Sequence, residues 1–329
     1  MKRAVLVILG ACFALGGASF AYLFLGSAPA PPEISWGVNF SQKHAEHLGL
    51  DWKEAYSALL EDLGARRVKL ALSWDMLEKE PGVFDFHDLD WQMDMARARG
   101  AKVILAVGMK TPRWPECHIP LWAKELSEKG RQEAILRMLS AVVVHVADNE
   151  SVAGWQVENE PLFPFGECPK TDARFLQKEI ALVQSIDVSR PVFTSDSGEL
   201  SLWIRAAKIG DKVAVTMYKR AWFDFLKRYV EYPFPPVFYY RKAELIRLFF
   251  GKEVFVGELQ AEPWTPVFVS MASAEEQSIT MNPEKFQEVI DFAGRTGLSE
   301  FYLWGSEWWY WLKTTRGDSA MWDRARRLF

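Results

Sequence analysis

The feature that most limits what this chain can fold into is an alternation. From residue 34 onward, short apolar runs rich in β-branched residues give way to longer runs with apolar residues three and four apart. The short runs are ISWGVNF (34–40), RRVKLAL (66–72), AKVILAVG (101–108), SVAGWQVENEP (151–161), RPVFTSD (190–196), DKVAVTMY (211–218), KEVFVGEL (252–259) and SEFYLWG (299–305). The longer runs cover 51–64, 87–100, 131–149, 171–187, 240–251, 282–297 and 317–328, several ending in the glycine that stops a helix, and Thr171 is placed to cap the fourth. Strands alternating with helices require parallel pairing through helical crossovers. Eight such units close into a (β/α)₈ TIM barrel of about 250 residues, and residues 33–329 supply that length. An open doubly wound sheet is the alternative. It would carry a glycine-rich fingerprint after its first strand, and SWGVNFSQKH offers a single glycine.

The start of the chain reads separately. Lys2 and Arg3 precede an apolar run from Ala4 to Gly26, followed by the proline-rich SAPAPP. A spanning helix needs about 20 apolar residues, whereas the apolar core of a secretory signal takes roughly 7–15. The expected organisation is a signal-anchor or signal peptide at 1–26, a spacer at 27–32 and the barrel at 33–329. The leading charges then place the barrel outside the cytoplasm, as a single-pass protein of the cell membrane. A signal cut after Ala30, leaving the chain secreted or periplasmic, and a lipoprotein signal ending at Cys12 are the alternatives. The net charge of −4 argues against a nucleic-acid partner. The five histidines show no metal-ligand spacing, and neither a metal nor a cofactor is expected.

In a barrel of this kind chemistry belongs at the carboxyl ends of the strands. Those ends read Asn39, Trp74, Lys110, Asn159 with Glu160, Asp196, Tyr218, Glu258 and Trp304. Glu160 and Glu258 stand three βα units apart, so they face each other across the mouth. Two facing carboxyl groups, one protonated to donate to a leaving oxygen and one ionised to attack, are what cleavage of a glycosidic bond needs.

The segments NEP (159–161) and GELQ (257–260), taken together, resemble the corresponding strand ends of the clan A retaining (β/α)₈ glycoside hydrolases. That resemblance implies Glu160 as acid/base, Glu258 as nucleophile and Asn159 as the residue that meets the sugar 2-hydroxyl. It also implies carboxyl groups about 5–5.5 Å apart, the spacing of retention. The stretch from Trp74 through LEKEPGVFDF to Phe86 is similar to the clan's segment after the second strand, and WQVENE is similar to its β-galactosidase branch. Tyr218 falls where several families keep a tyrosine on the nucleophile, and Trp304 where many keep a tryptophan under the sugar. Two positions depart from the pattern. Lys69 stands where many members carry an arginine that holds the nucleophile, which keeps the charge and loses the bidentate fork. The usual TE of the seventh strand is Gly257-Glu258.

Around this pair other residues take expected roles. Glu262, a rival nucleophile, reads as a loop residue that binds sugar or pairs with a base, because Val254, Val256 and Glu258 share strand parity. Glu158 reads as a supporting carboxylate bound to Lys69 or Arg113. Asn39, Lys110, His118, Asp196 and Glu307 are further candidates for substrate contact, and Trp74, Trp114, Trp264, Trp304 and Trp308 for stacking, the alternative for each being core or loop packing. Cys117 and Cys168 follow neighbouring strands and are expected to form a disulfide in an exported chain. The aromatic stretch 219–238 suits either a lid or a membrane surface. The expectation is therefore an O-glycosyl hydrolase acting with retention on a carbohydrate. Its rivals are a transglycosylase using the same acids and a non-catalytic glycan-binding barrel anchored to the envelope.

Overall fold

The computed structural model describes Phe13, residues 16–170 and residues 172–329. The barrel strands are β1 (Ser35–Ser41), β2 (Arg67–Ala71), β3 (Lys102–Val107), β4 (Val152–Val157), β5 (Val192–Asp196), β6 (Val213–Met217), β9 (Val254–Gln260) and β10 (Glu300–Trp304), with a hairpin of β7 (Arg220–Phe223) and β8 (Arg228–Glu231) inserted after the sixth. The eight close a barrel in the order β1-β10-β9-β6-β5-β4-β3-β2, and all eight neighbouring pairs are parallel.

Side chains of a strand alternate between its two faces. The outward set, including Val68, Leu70, Val103, Leu105, Val213, Val215 and Val256, packs under the helices in the main core. The inward set begins apolar, with Ile104, Phe193, Ala214, Phe255 and Tyr302 in a separate cluster. Two residues further along, the inward positions become Ser195 and Thr216, both buried, and this polar layer carries the site. Five of the tryptophans, Trp74, Trp155, Trp203, Trp309 and Trp322, are fully buried, so much of the aromatic content is core.

β9 departs from simple alternation. Val215 pairs with Val256, but Thr216 pairs with Glu258, and the same step recurs on the β10 side. Gly257 is thus the extra residue of a β-bulge, which re-aims the side chains beyond it. Phe255 points into the barrel and Val256 out to the helices. The expected shared parity of Val254, Val256 and Glu258 is corrected accordingly: Glu258 faces inward because Gly257 resets the count.

Other boundaries also move. The aromatic stretch 219–238 contains the β7–β8 hairpin, and the helix after it starts at Pro236 rather than 240. The short helix Ile204–Ile209 links β5 to β6 where none was read. The closing helix expected at 317–328 is Ala320–Arg326, and the helix Ser306–Thr315 precedes it where none was read. Asp172 accepts from the Arg174 N–H and caps the helix Ala173–Ile186, while Thr171 lies outside the described residues.

Residues 16–24 are helical and lie against the barrel wall. Phe24 packs on Phe238 at 5.2 Å and the Arg241 guanidinium lies 4.8 Å from the Tyr22 ring. Among the described residues no helix is long and apolar enough to cross a membrane. Residues 4–12, 14 and 15 of the span expected over Ala4–Gly26 lie outside the described residues.

Candidate active site

The polar layer holds both expected acids. Glu258 forms an ion pair with the buried Lys69 ammonium at 3.1 Å and accepts from the Tyr218 hydroxyl at 3.1 Å. Lys69 also donates to Gln156 at 3.2 Å. Glu160 follows β4, where the backbone is left-handed at Glu158 (φ 59°) and at Glu160 (φ 39°). Its N–H donates to Ser195 Oγ at 2.8 Å, and its carboxyl accepts from Thr216 Oγ1 at 3.4 Å. Thr216 is the register partner of Glu258 on the adjoining strand, so the two acids converge on one part of the barrel mouth. Both are nearly enclosed, Glu160 at 9% exposure and Glu258 at 3%.

Their surroundings differ. Burial, then the Glu258 and Glu116 carboxyl groups, push the Glu160 carboxyl well above the usual carboxylate range, against a smaller opposing pull from Lys110. The Lys110 ammonium is committed elsewhere, to the carbonyls of Glu160 and Phe163 at 3.0 and 3.3 Å. Glu160 is therefore built to hold a proton, while Glu258 has a cation and a hydroxyl against its two oxygens.

Asn159 is fixed from both ends of its amide. Its oxygen accepts from Gln156 and Ser195 at 3.0 Å each, and its nitrogen donates to Glu116 at 2.9 Å. Glu116 escaped the sequence reading; it sits in the loop TPRWPECH with no neighbour in sequence to mark it. Its carboxyl is raised to about 7 by burial first and the charge of Glu258 second. Gly166 makes room for it, since a Cβ there would come within 2.7 Å of the Glu116 Cβ.

The same loop sends Arg113 across the mouth. Its guanidinium pairs with Glu262 and, at 2.8 Å, with Glu307, and lies 3.9 Å from the Trp304 ring centroid. Trp304 Nε1 donates to Glu262 at 2.9 Å. Glu262, Glu307 and Trp304 are thus brought together, and the Trp304 ring expected beneath a sugar has Arg113 over it. The Cys117–Cys168 disulfide ties this loop to the loop after β4, with Cα atoms 5.3 Å apart.

Several expected residues are placed elsewhere. Glu158 binds neither Lys69 nor Arg113; it accepts from the N–H groups of Met109 and Lys110 at 2.7 Å each. The positive φ at Glu158 turns it out of the barrel, and a Cβ on Gly108 would strike its carboxylate. Its neighbour there is Glu179, fully buried on the helix Ala173–Ile186 and also unread from sequence. Trp74 is 0% exposed with Nε1 bound to Glu78, so it presents no face to the mouth. Asn39 spends its amide nitrogen on the carbonyls of Gly257, Tyr302 and Leu303. Trp308 is buried against Gln277. Asp196 holds Ser201 and the Ser197 N–H, and His118 faces Lys43.

Residues 46–178 match the Glyco_hydro_42 family model, described as beta-galactosidase. That stretch contains Asn159 and Glu160 and ends before Glu258. Beta-galactosidase Bga of Halorubrum lacusprofundi is 30% identical over 133 residues, which cover 35% of this chain and 19% of that protein. The match thus spans about a fifth of that relative's length. Among solved structures, GH5_18 from Streptomyces cattleya in complex with GlcNAc superposes with a TM-score of 0.56 at 15% identity, over 84% of this chain and 71% of that one. Native xylanase 10B from Thermotoga maritima superposes with a TM-score of 0.57 at 13% identity, over 83% of each chain. At these identities the superpositions show the fold. They define a parallel eight-stranded α/β barrel, and the match over residues 46–178 adds a likeness to glycosidases.

Proposed function

We propose that this chain is a retaining glycoside hydrolase. Glu258 attacks the anomeric carbon while Glu160 gives its proton to the leaving oxygen. Glu160, now a base, takes a proton from water, and that water breaks the glycosyl ester on Glu258. The single observation that carries the reading is the asymmetry of the pair: Glu160 is buried among carboxyl groups, and Glu258 is clamped by Lys69 and Tyr218. Tyr218 and Lys69 hold the attacking oxygens, and Asn159, locked by Gln156, Ser195 and Glu116, presents its amide to the sugar 2-hydroxyl.

The names of the relatives make aryl β-galactosides the first substrates to try, followed by other aryl β-glycosides. A 2-deoxy-2-fluoro glycosyl donor should label Glu258, read by peptide mass spectrometry, and the first-formed sugar should keep its anomeric configuration by proton NMR. Inverted product, or a label on Glu262, would overturn the assignment. A binding barrel without catalysis would show glycan binding and no turnover. Membrane attachment through residues 1–26 belongs to the same proposal, and extraction of the full chain by alkaline carbonate rather than detergent would remove it.

A further inference from the structure

Of the 15 tryptophans, all within the described residues, Trp114 alone is exposed, at 57%. It is not isolated. Its ring stands edge-on to Phe165 at 5.9 Å, Phe165 lies 5.6 Å from Trp264, and Trp264 stands edge-on to Tyr218 at 5.0 Å. Tyr218 in turn touches Glu258. An aromatic track therefore runs from the attacking carboxylate to solvent, built from three separate loops. An exposed tryptophan beginning such a track is a better marker of a binding surface than an apolar residue exposed singly.

We propose that Trp114, Phe165 and Trp264 form the subsite for the leaving group, and that this leaving group is a pyranose, so that the substrate is an oligosaccharide. The inference rests on the retaining reading above. Three observations carry it. Phe165 follows Glu160 by five residues in the loop after β4, and the acid stands over the leaving oxygen, so its loop borders the departing group. The rings are half-buried or exposed faces rather than the walls of an enclosed channel, which fits the flat C–H face of a pyranose against an aromatic quadrupole. The track is also held in place before any substrate arrives. Cys117–Cys168 joins the loops bearing Trp114 and Phe165, and the Glu167 N–H donates to the Pro115 carbonyl at 3.0 Å. Such preorganisation lowers the ordering cost of binding.

The test compares three leaving groups. Wild type, Trp114→Ala and Trp264→Phe are assayed on a glycosyl fluoride, a 4-nitrophenyl glycoside and the best-cleaved member of a panel of β-linked galacto-, gluco-, manno- and xylo-oligosaccharides. Trp114→Ala should lose about tenfold in kcat/KM on the oligosaccharide, the size of one stacking contact. It should leave the fluoride, which has no leaving ring, unchanged. Trp264→Phe, which keeps an aromatic face, should lose less. Equal losses on the oligosaccharide and the nitrophenyl glycoside would overturn the pyranose assignment. So would turnover of aryl glycosides by wild type with no oligosaccharide of the panel cleaved. Absence of turnover on all three substrates would instead sink the hydrolase reading itself, which keeps the two failures apart. Thermal melting of each variant checks that the exposed substitution leaves the fold intact.

Discussion

At the end of β4 the chain leaves strand geometry through two left-handed residues, whereas at the end of β9 it stays extended and inserts one extra residue at Gly257. Both devices override the alternation of side chains, with opposite results. On β4 the nearer acid, Glu158, is turned out toward the backbone of Met109 and Lys110, and Glu160 swings into the mouth. On β9 the bulge brings Glu258 inward, where Lys69 reaches it. Position and charge are thus set together. A turn leaves Glu160 among like charges, and a rigid strand holds Glu258 against a cation. Two chemically identical side chains thus meet opposite surroundings, which is what the proposed division into proton donor and nucleophile requires.

Substrates that differ in leaving group break the comparison most sharply. Glu258→Gln should lower kcat by roughly 10⁴-fold or more on every substrate. Glu160→Gln should cost about 10²–10⁴-fold on alkyl or sugar leaving groups, yet stay near wild type for glycosyl attack on a 2,4-dinitrophenyl glycoside, which departs without a proton. Equal sensitivity of the two variants to leaving group would show that the acids do not divide the work.

The Lys69 ion pair is the next contrast. Lys69→Met removes the cation on Glu258 and leaves a buried carboxylate short of a partner. A loss of about 10²-fold in kcat/KM is expected. Lys69→Arg should recover part of it. An unchanged kcat/KM in Lys69→Met would mean that Lys69 serves packing alone.

Glu116 sharpens the other side. Glu160 faces Glu258 from β9, Glu116 from the loop after β3, Lys110 at the end of β3 and Glu199 after β5. The proposed mechanism needs Glu160 protonated, so rate should fall as pH rises through its elevated value. Glu116→Gln removes one like charge and should move that basic limb down. Because the groups titrate together, the limb belongs to the set rather than to Glu160 alone.

How legible each feature is depends on how far along the chain its causes lie. The barrel was readable because eight strand–helix alternations are a property of local sequence. The placement of Glu160 and Glu258 at the barrel mouth was readable because both end strands, and the Cys117–Cys168 disulfide because their loops are neighbours. Glu116 and Glu179 were not, since each matters only through a partner far along the chain. Trp74 looked like a platform because it ends a strand, but the helix turn Trp74–Leu77 begins there and buries it. The inward aim of Glu258 was anticipated by the wrong route. Parity alone would have turned it outward with Val256, and no residue but Gly257 hints at the bulge.

The smallest effect concerns stability and lies behind β4. Glu158 and Glu179 meet in a buried pocket, and neither Glu179 oxygen has a hydrogen-bond partner among the described residues. Burial first, and then Glu158, push the Glu179 carboxyl well above its ordinary value, and burial raises Glu158 too. The folded state therefore binds protons that the unfolded chain has released. A raised value contributes stability that is complete below the unfolded pKa and is lost as pH rises through the folded one. Wild type should lose melting temperature as pH rises above the ordinary carboxylate range. Glu179→Gln keeps the shape without the titration, so its melting temperature should fall by a few degrees less over that rise, with Glu158 still imposing part of the slope. Its kcat should stay close to wild type, because Glu179 lies outside the barrel and touches neither acid of the mouth. Parallel melting curves for the two proteins would show that the buried pair carries no proton at neutral pH, and that the turn at Glu158 is held by the two backbone N–H groups alone.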